Sequence, residues 1–167
     1  VIISHKYKFV FIRTVKTAGT STEMTLSRYL ADEDVAAPFD GRSSEFEEQY
    51  RSRFGMFPRN NERFSAHMAA KAIKTGIADD AIWNSYFKFA TIRNPFEQVI
   101  SWLYFTKHDF KRAWETVCES LTRLTYGLVT IDDRVVVDKF IQFENLSNDL
   151  SEVLKSLGVP FDGWIPR

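Results

Sequence analysis

Apolar residues fall along this chain in two rhythms. Short, nearly continuous runs, Phe9 to Ile12 (FVFI) and Tyr86 to Ile92 (YFKFATI), are rich in aromatic and β-branched residues and predict buried strands of a parallel sheet. A third β-rich run, Val135 to Phe143, is interrupted by Asp138-Lys139, which places the strand over Phe140 to Phe143. Between the runs the spacing is helical. Met24, Leu26, Tyr29 and Leu30 mark a first helix, with Glu23 and Arg28 on its polar side. AHMAAKAIKTGI marks a second, opened by His67, with Met68, Ala72 and Ile73 apolar and a stop near Gly76. Pro95, with Asn94 as its cap, starts a third whose buried stripe reads Phe96, Val99, Ile100, Leu103 and Tyr104. Asp109 to Leu124 predicts a fourth, and Thr125 to Asp133 a connection. Leu146 to Leu157 predicts a last helix, closed by Gly158 with Pro160 just beyond. Strands alternating with helices predict an α/β fold: a parallel sheet with helices on both faces.

The pattern breaks down over Ala31 to Ser65. Charge is mixed there, and two prolines and two glycines interrupt it. Helical turns fit around Ser44 to Arg53, and the rest reads as loop, a length often kept for function. Arg42, Arg51, Arg53, Arg59 and Arg63 could meet an acidic acceptor, or form a solvated face balanced by Asp40, Glu45, Glu47, Glu48 and Glu62.

Composition narrows the field. At 167 residues the chain is expected to be one domain, 1–167, with a proper core. Its 22 basic residues equal its 22 acidic ones, which excludes a generic nucleic-acid or membrane-surface binder but not a local basic pocket. Cys118 is the single cysteine, so no intrachain disulfide and no zinc cluster are expected, as in a reducing compartment. No apolar run is long enough to span a bilayer. The sequence starts at Val1 without methionine and stops at Arg167, so trimming at the termini is expected.

Candidate chemistry gathers where strand turns into helix. After Phe9 to Ile12 the chain becomes small and hydroxylic: Lys16, Thr17, Ala18, Gly19, Thr20, Ser21, Thr22. A helix start leaves backbone N–H groups unpaired and carries partial positive charge. A glycine allows close approach, hydroxyls donate, and a lysine supplies a point charge to an anion. Neither GxxxxGK[ST] nor GxGxxG is present. An ordinary Ser/Thr-capped helix is the alternative. The second strand ends in Arg93-Asn94-Pro95, with Ser101 eight residues after Arg93. Arg93 and Ser101 could face one anion across the first helical turns, or cap carbonyls and face solvent. Two anion sites on one sheet edge point to a ligand with two phosphate groups.

At these residues the chain resembles the sulfotransferases that use 3′-phosphoadenosine 5′-phosphosulfate (PAPS), specifically the carbohydrate, Golgi-type branch and its compact bacterial relatives. FIRTVKTAGTST, Phe11 to Thr22, is similar to the family's 5′-phosphosulfate loop. IRNPFEQVIS, Ile92 to Ser101, is similar to its 3′-phosphate motif, and Asp138 to Pro160 to the strand–helix element that follows. The resemblance implies a P-loop-NTPase-like three-layer α/β fold, a central parallel sheet flanked by helices. It implies PAPS as co-substrate and no metal. It implies that Thr17 to Thr22 hold the phosphosulfate, that Lys16 stabilises the leaving oxygen, and that Arg93 and Ser101 hold the 3′-phosphate. His67 falls where some members place a catalytic base; other branches use glutamate, which makes Glu62 the alternative. The acceptor implied is a carbohydrate or small metabolite bearing a hydroxyl or amine, with the 31–66 region as a variable acceptor-side insertion. Phe57, Phe64, Tyr104 and Trp114 could stack on a sugar or belong to the core. No nucleic-acid partner and no membrane span are expected. A cytoplasmic location is expected, or the Golgi lumen for a piece of a membrane-anchored chain. Relatives continue past this element into a segment that closes over the donor; with the sequence stopping at Arg167, that lid is expected to be absent, very short or missing from the fragment. Two other readings stay open: a P-loop-like nucleotide kinase or NTPase, and a non-catalytic nucleotide-binding module of the same fold.

Overall fold

The computed structural model describes residues 1–37, 63–106 and 110–166, and for 110–116, 118 and 119 the backbone alone. A five-stranded sheet runs in the order β3-β1-β2-β4-β7. Its strands are β1 (Ile2–Ser4), β2 (Phe9–Ile12), β3 (Val35–Ala36), β4 (Phe87–Ile92) and β7 (Lys139–Gln142). β2, β4 and β7 are parallel neighbours, as their apolar runs predict. β1 pairs antiparallel with both β2 and β3, so the sheet is mixed rather than wholly parallel. The reason is local: only four residues join β1 to β2, a link too short for a crossover. Asp34 pins that turn, accepting from Ser4 Oγ at 2.9 Å and from the backbone N–H of His5 at 2.6 Å.

The helices are α1 (Gly19–Ser27), α2 (Ala70–Ile77), α3 (Asp80–Ser85), α4 (Pro95–Thr106), α5 (Phe110–Val129) and α6 (Leu146–Ser156). Alternation along β2 serves two cores. Phe9 and Phe11 face Phe89, Ile141, Leu26 of α1 and Leu150, Val153 and Leu154 of α6. Val10 and Ile12 face Ala90, Ala70 and Ile73 of α2, Trp83 of α3 and Leu128 and Val129 of α5. Helices therefore cover both faces.

Three expectations are corrected. Glu23 of α1 is buried rather than on a polar face, because Arg13 lies beside it. On α4, Val99 and Leu103 are buried against Val117 and Leu121, but Phe96 (64%), Ile100 (49%) and Tyr104 (88%) are exposed. The inward arc is turned by about one residue, so that Gln98 is buried instead. The stretch after Leu124 is not a plain connection: α5 runs on to Val129, and β5 (Thr130–Ile131) and β6 (Arg134–Val135) form a small hairpin. Among the possible stacking residues, Phe64 is core and packs against Gly76. Most of the 31–66 insertion lies outside the described residues, including Arg42, Arg51, Arg53, Arg59, Phe57 and Glu62; so do His108 and the side chains of Trp114 and Cys118.

Candidate active site

β2 and β4 lie side by side in parallel, with Ile12 opposite Ala90, so both strands end at the same sheet edge. Such edges are where open α/β sheets hold ligands. Thr14 Oγ1 donates to the carbonyl of Thr91, tying the end of β2 to the end of β4. The chain leaving β2 then turns through two left-handed residues, Lys16 (φ 58) and Ala18 (φ 61), before α1 begins. Backbone of this kind makes concave sets of N–H groups. Among the described residues no side chain caps α1, and its first turn holds no acidic residue to meet the partial positive charge there.

The hydroxyls of this loop divide by role. Thr17 is fully buried and its Oγ1 meets Thr14 Oγ1 at 2.7 Å. Thr22 Oγ1 donates to the Ala18 carbonyl at 3.1 Å. Both build the turn. Thr20 Oγ1 accepts from Arg13 at 2.8 Å. Arg13 also donates to Glu23 Oε2 at 2.7 Å, while Glu23 Oε1 accepts from the Val1 nitrogen at 2.7 Å. The arginine side chain runs directly over Gly19: a Cβ there would stand 2.5 Å from Arg13 Cγ. The single glycine therefore makes room for a buried ion pair beneath the loop.

At the end of β4, Arg93 stacks on Phe143, its guanidinium carbon 4.0 Å from the ring centroid. Its Nη2 donates to Glu97 Oε2 at 3.3 Å. The predicted cap is present: Asn94 Oδ1 accepts from the Phe96 N–H at 3.0 Å. Asn94 in turn donates its backbone N–H to Glu144 Oε1 at 2.7 Å, which ties in the end of β7. The buried Nε of Arg13 and of Arg93 has no hydrogen-bond partner among the described residues.

The two units open into one cleft of about 620 Å³, lined by Lys16, Arg93, Glu97, Ile100, Ser101, Tyr104 and Phe105. Three of the expected site residues, Lys16, Arg93 and Ser101, thus meet in one space. Lys16 is half-buried, and its ammonium sits 4.0 Å from the centroid of the Phe105 ring. Burial holds its pKa below the ordinary 10.5, and the positive charges of Arg93 and Arg13 lower it further. The cleft thus holds two cations, Lys16 and Arg93, against one carboxylate, Glu97, which pairs with Arg93; Lys16 has no carboxylate partner among the described residues.

His67 precedes α2 rather than opening it. It lies against Arg13 rather than among the residues lining the cleft. By surface area the residue is exposed. Even so, the surrounding protein pushes its pKa below 6.5, chiefly by burial and then by the charge of Arg13, partly offset by a hydrogen bond with the Arg13 backbone. Its imidazole is therefore neutral at neutral pH. Arg13, Glu23, Gln98, Phe105 and Phe143 escaped the sequence reading.

Among the described residues, no group of three or more His, Cys, Asp or Glu side chains is placed to hold a metal, and no helix is long and apolar enough to cross a membrane. Comparison with known proteins gave no matching curated protein and no matching solved structure. A family model described as the sulfotransferase family matches residues 1–124, which include both halves of the cleft.

Proposed function

The chain belongs to the sulfotransferase family, and from that premise we propose that it moves the sulfuryl group of PAPS to a hydroxyl or amine of a carbohydrate or small metabolite. The observation that carries this reading is the meeting of Lys16, Arg93 and Ser101 in one cleft. Two cation-bearing subsites on adjacent strand ends fit a ligand with anionic groups at both ends of a nucleoside. In this reading the loop after β2 is P-loop-like in place and task, without the P-loop's sequence.

The backbone N–H groups at the start of α1, with Thr20 and Ser21, receive the 5′-phosphosulfate. Thr17 and Thr22 act through the shape of the turn. Arg93 and Ser101 take the 3′-phosphate, for which Glu97 gives up its hold on Arg93. In the transfer the acceptor oxygen bonds to sulfur as the bridging sulfur–oxygen bond breaks, and 3′-phosphoadenosine 5′-phosphate leaves. Lys16 offsets the charge growing on the bridging oxygen. Catalysis here is mostly positioning and electrostatic stabilisation of spread negative charge. His67, outside the lining of the cleft and against Arg13, takes the proton of an acceptor hydroxyl that enters from the Arg13 side of the loop. Tyr104, exposed at the mouth of the cleft, offers a ring face to the acceptor.

Incubation with PAPS and a panel of sugar and small-alcohol acceptors, following release of the bisphosphate, tests this directly. The pH dependence gives a sharper check. His67 works neutral, and its pKa lies below 6.5, so the acid limb should fall below that value. Lys16 works protonated, and its pKa lies below 10.5, so the alkaline limb should arrive earlier than for an ordinary lysine. His67→Ala should remove the acid limb along with most of the rate. An acid limb that persists in that variant would take the base role away from His67.

A further inference from the structure

We infer that Gln98 is a positioning residue that sets the spacing between the two anion subsites. The inference rests on the sulfotransferase reading above and goes on to say what in this chain makes the cleft selective for a bisphosphate. Gln98 lies on α4, between Arg93 and Ser101, and is buried. Its Nε2 donates to the carbonyl of Val15 at 2.5 Å and to Thr125 Oγ1 of α5 at 3.1 Å. Val15 is the residue immediately before Lys16, and its side chain packs into the apolar cluster of Val99, Leu103, Val117 and Leu121. The loop of the first subsite is thus clamped, by side chain and by carbonyl, to the helix that carries the second.

The carbonyl matters more than its one hydrogen bond implies. The Val15–Lys16 peptide plane is shared between the carbonyl that Gln98 holds and the φ of Lys16, which stands at 58°. A left-handed conformation costs a non-glycine residue on the order of 1–2 kcal/mol. It persists where the surroundings fix it, and Gln98 fixes this peptide from the side of α4. Without the amide the loop loses its polar tie to α4 and can shift as a body, its own turn kept, so that the Lys16 ammonium moves relative to Arg93. Each subsite would stay intact; the distance between them would not.

A ligand with two linked phosphates gains affinity from both subsites only when their spacing matches its own. A ligand with one phosphate is indifferent to that spacing. Titration calorimetry with 3′-phosphoadenosine 5′-phosphate, adenosine 5′-monophosphate and adenosine 3′-monophosphate therefore separates positioning from general damage. In Gln98→Met, which keeps the volume and loses the donor, the bisphosphate should weaken by roughly tenfold. Both monophosphates should stay within about threefold of the unmodified protein. Thr125→Val, which leaves the bond to Val15 in place, should leave all three affinities unchanged. Gln98→Glu provides the same comparison with a polar side chain, should the methionine variant not fold. A parallel loss for all three ligands, or an unchanged bisphosphate affinity, would overturn the role of Gln98 while leaving the sulfotransferase reading standing. An unmodified protein with no preference for the bisphosphate would overturn both.

Discussion

Lys16→Ala is expected to lower turnover of PAPS by about 10²–10³-fold, the usual loss when one preorganised donor to developing negative charge is removed. The fold should survive. Lys16 occupies left-handed backbone, and alanine carries the same Cβ, so the substitution adds no backbone strain. Its ammonium makes a ring contact with Phe105 at the cleft rather than an ion pair in the core. Melting should therefore move by no more than the equivalent of about 1 kcal/mol. Turnover within a few-fold of the unmodified enzyme would remove Lys16 from the mechanism. A collapse of melting would make it a structural residue instead.

The second large effect falls beneath the loop. Glu23 and Arg13 form an ion pair at 2.7 Å with side-chain exposures of 8% and 9%. Burying such a pair gains little over an apolar core, but removing one member leaves an uncompensated buried charge at a cost of about 3–5 kcal/mol. Glu23→Gln should therefore lower the melting temperature by roughly 10 °C for a domain of this size. It should also free Arg13 to move from its place over Gly19 and against Thr20. Loss of turnover in the fraction that remains folded would follow, because Arg13 supports the start of α1 and lies beside His67. A melting change below about 1 kcal/mol, read by calorimetry, would show the pair to be incidental.

Much of the fold, and the meeting of Lys16, Arg93 and Ser101 in one candidate site, were legible in the sequence, for reasons that can be named. Phe9–Ile12 is apolar on both faces, and Phe87–Ile92 nearly so apart from the buried Lys88 and Thr91, because each lies between two helical layers, and so they read as almost continuous runs. Asn94 and Pro95 announced the start of α4, since both act locally on the backbone. Lys16, Arg93 and Ser101 sat at recognisable spacings, and parallel pairing of β2 with β4 brought them together.

What stayed hidden was set by tertiary contact. β1 has three residues and β3 two, too few for a periodic signal. Glu23 reads as a surface residue until Arg13 is folded back over Gly19 to meet it. The apolar residues of α4 outnumber those its partner can cover, and periodicity alone does not say which arc faces α5. Phe96, Ile100 and Tyr104 therefore looked buried, while Gln98, the residue that faces inward, looked ordinary. Among the hydroxyls, sequence could not separate Thr17 and Thr22, which close the turn, from Thr20, which meets Arg13.

The most direct test of the central claim is a thermal-shift titration with 3′-phosphoadenosine 5′-phosphate, with AMP and with ATP plus magnesium as controls. At about a hundred times its Kd a ligand adds roughly 2.7 kcal/mol of stability. A clear shift is expected with the bisphosphate, a small one with AMP, and loss of the bisphosphate shift in Arg93→Ala. No shift with the bisphosphate, or a larger one with ATP and magnesium, would contradict the claim.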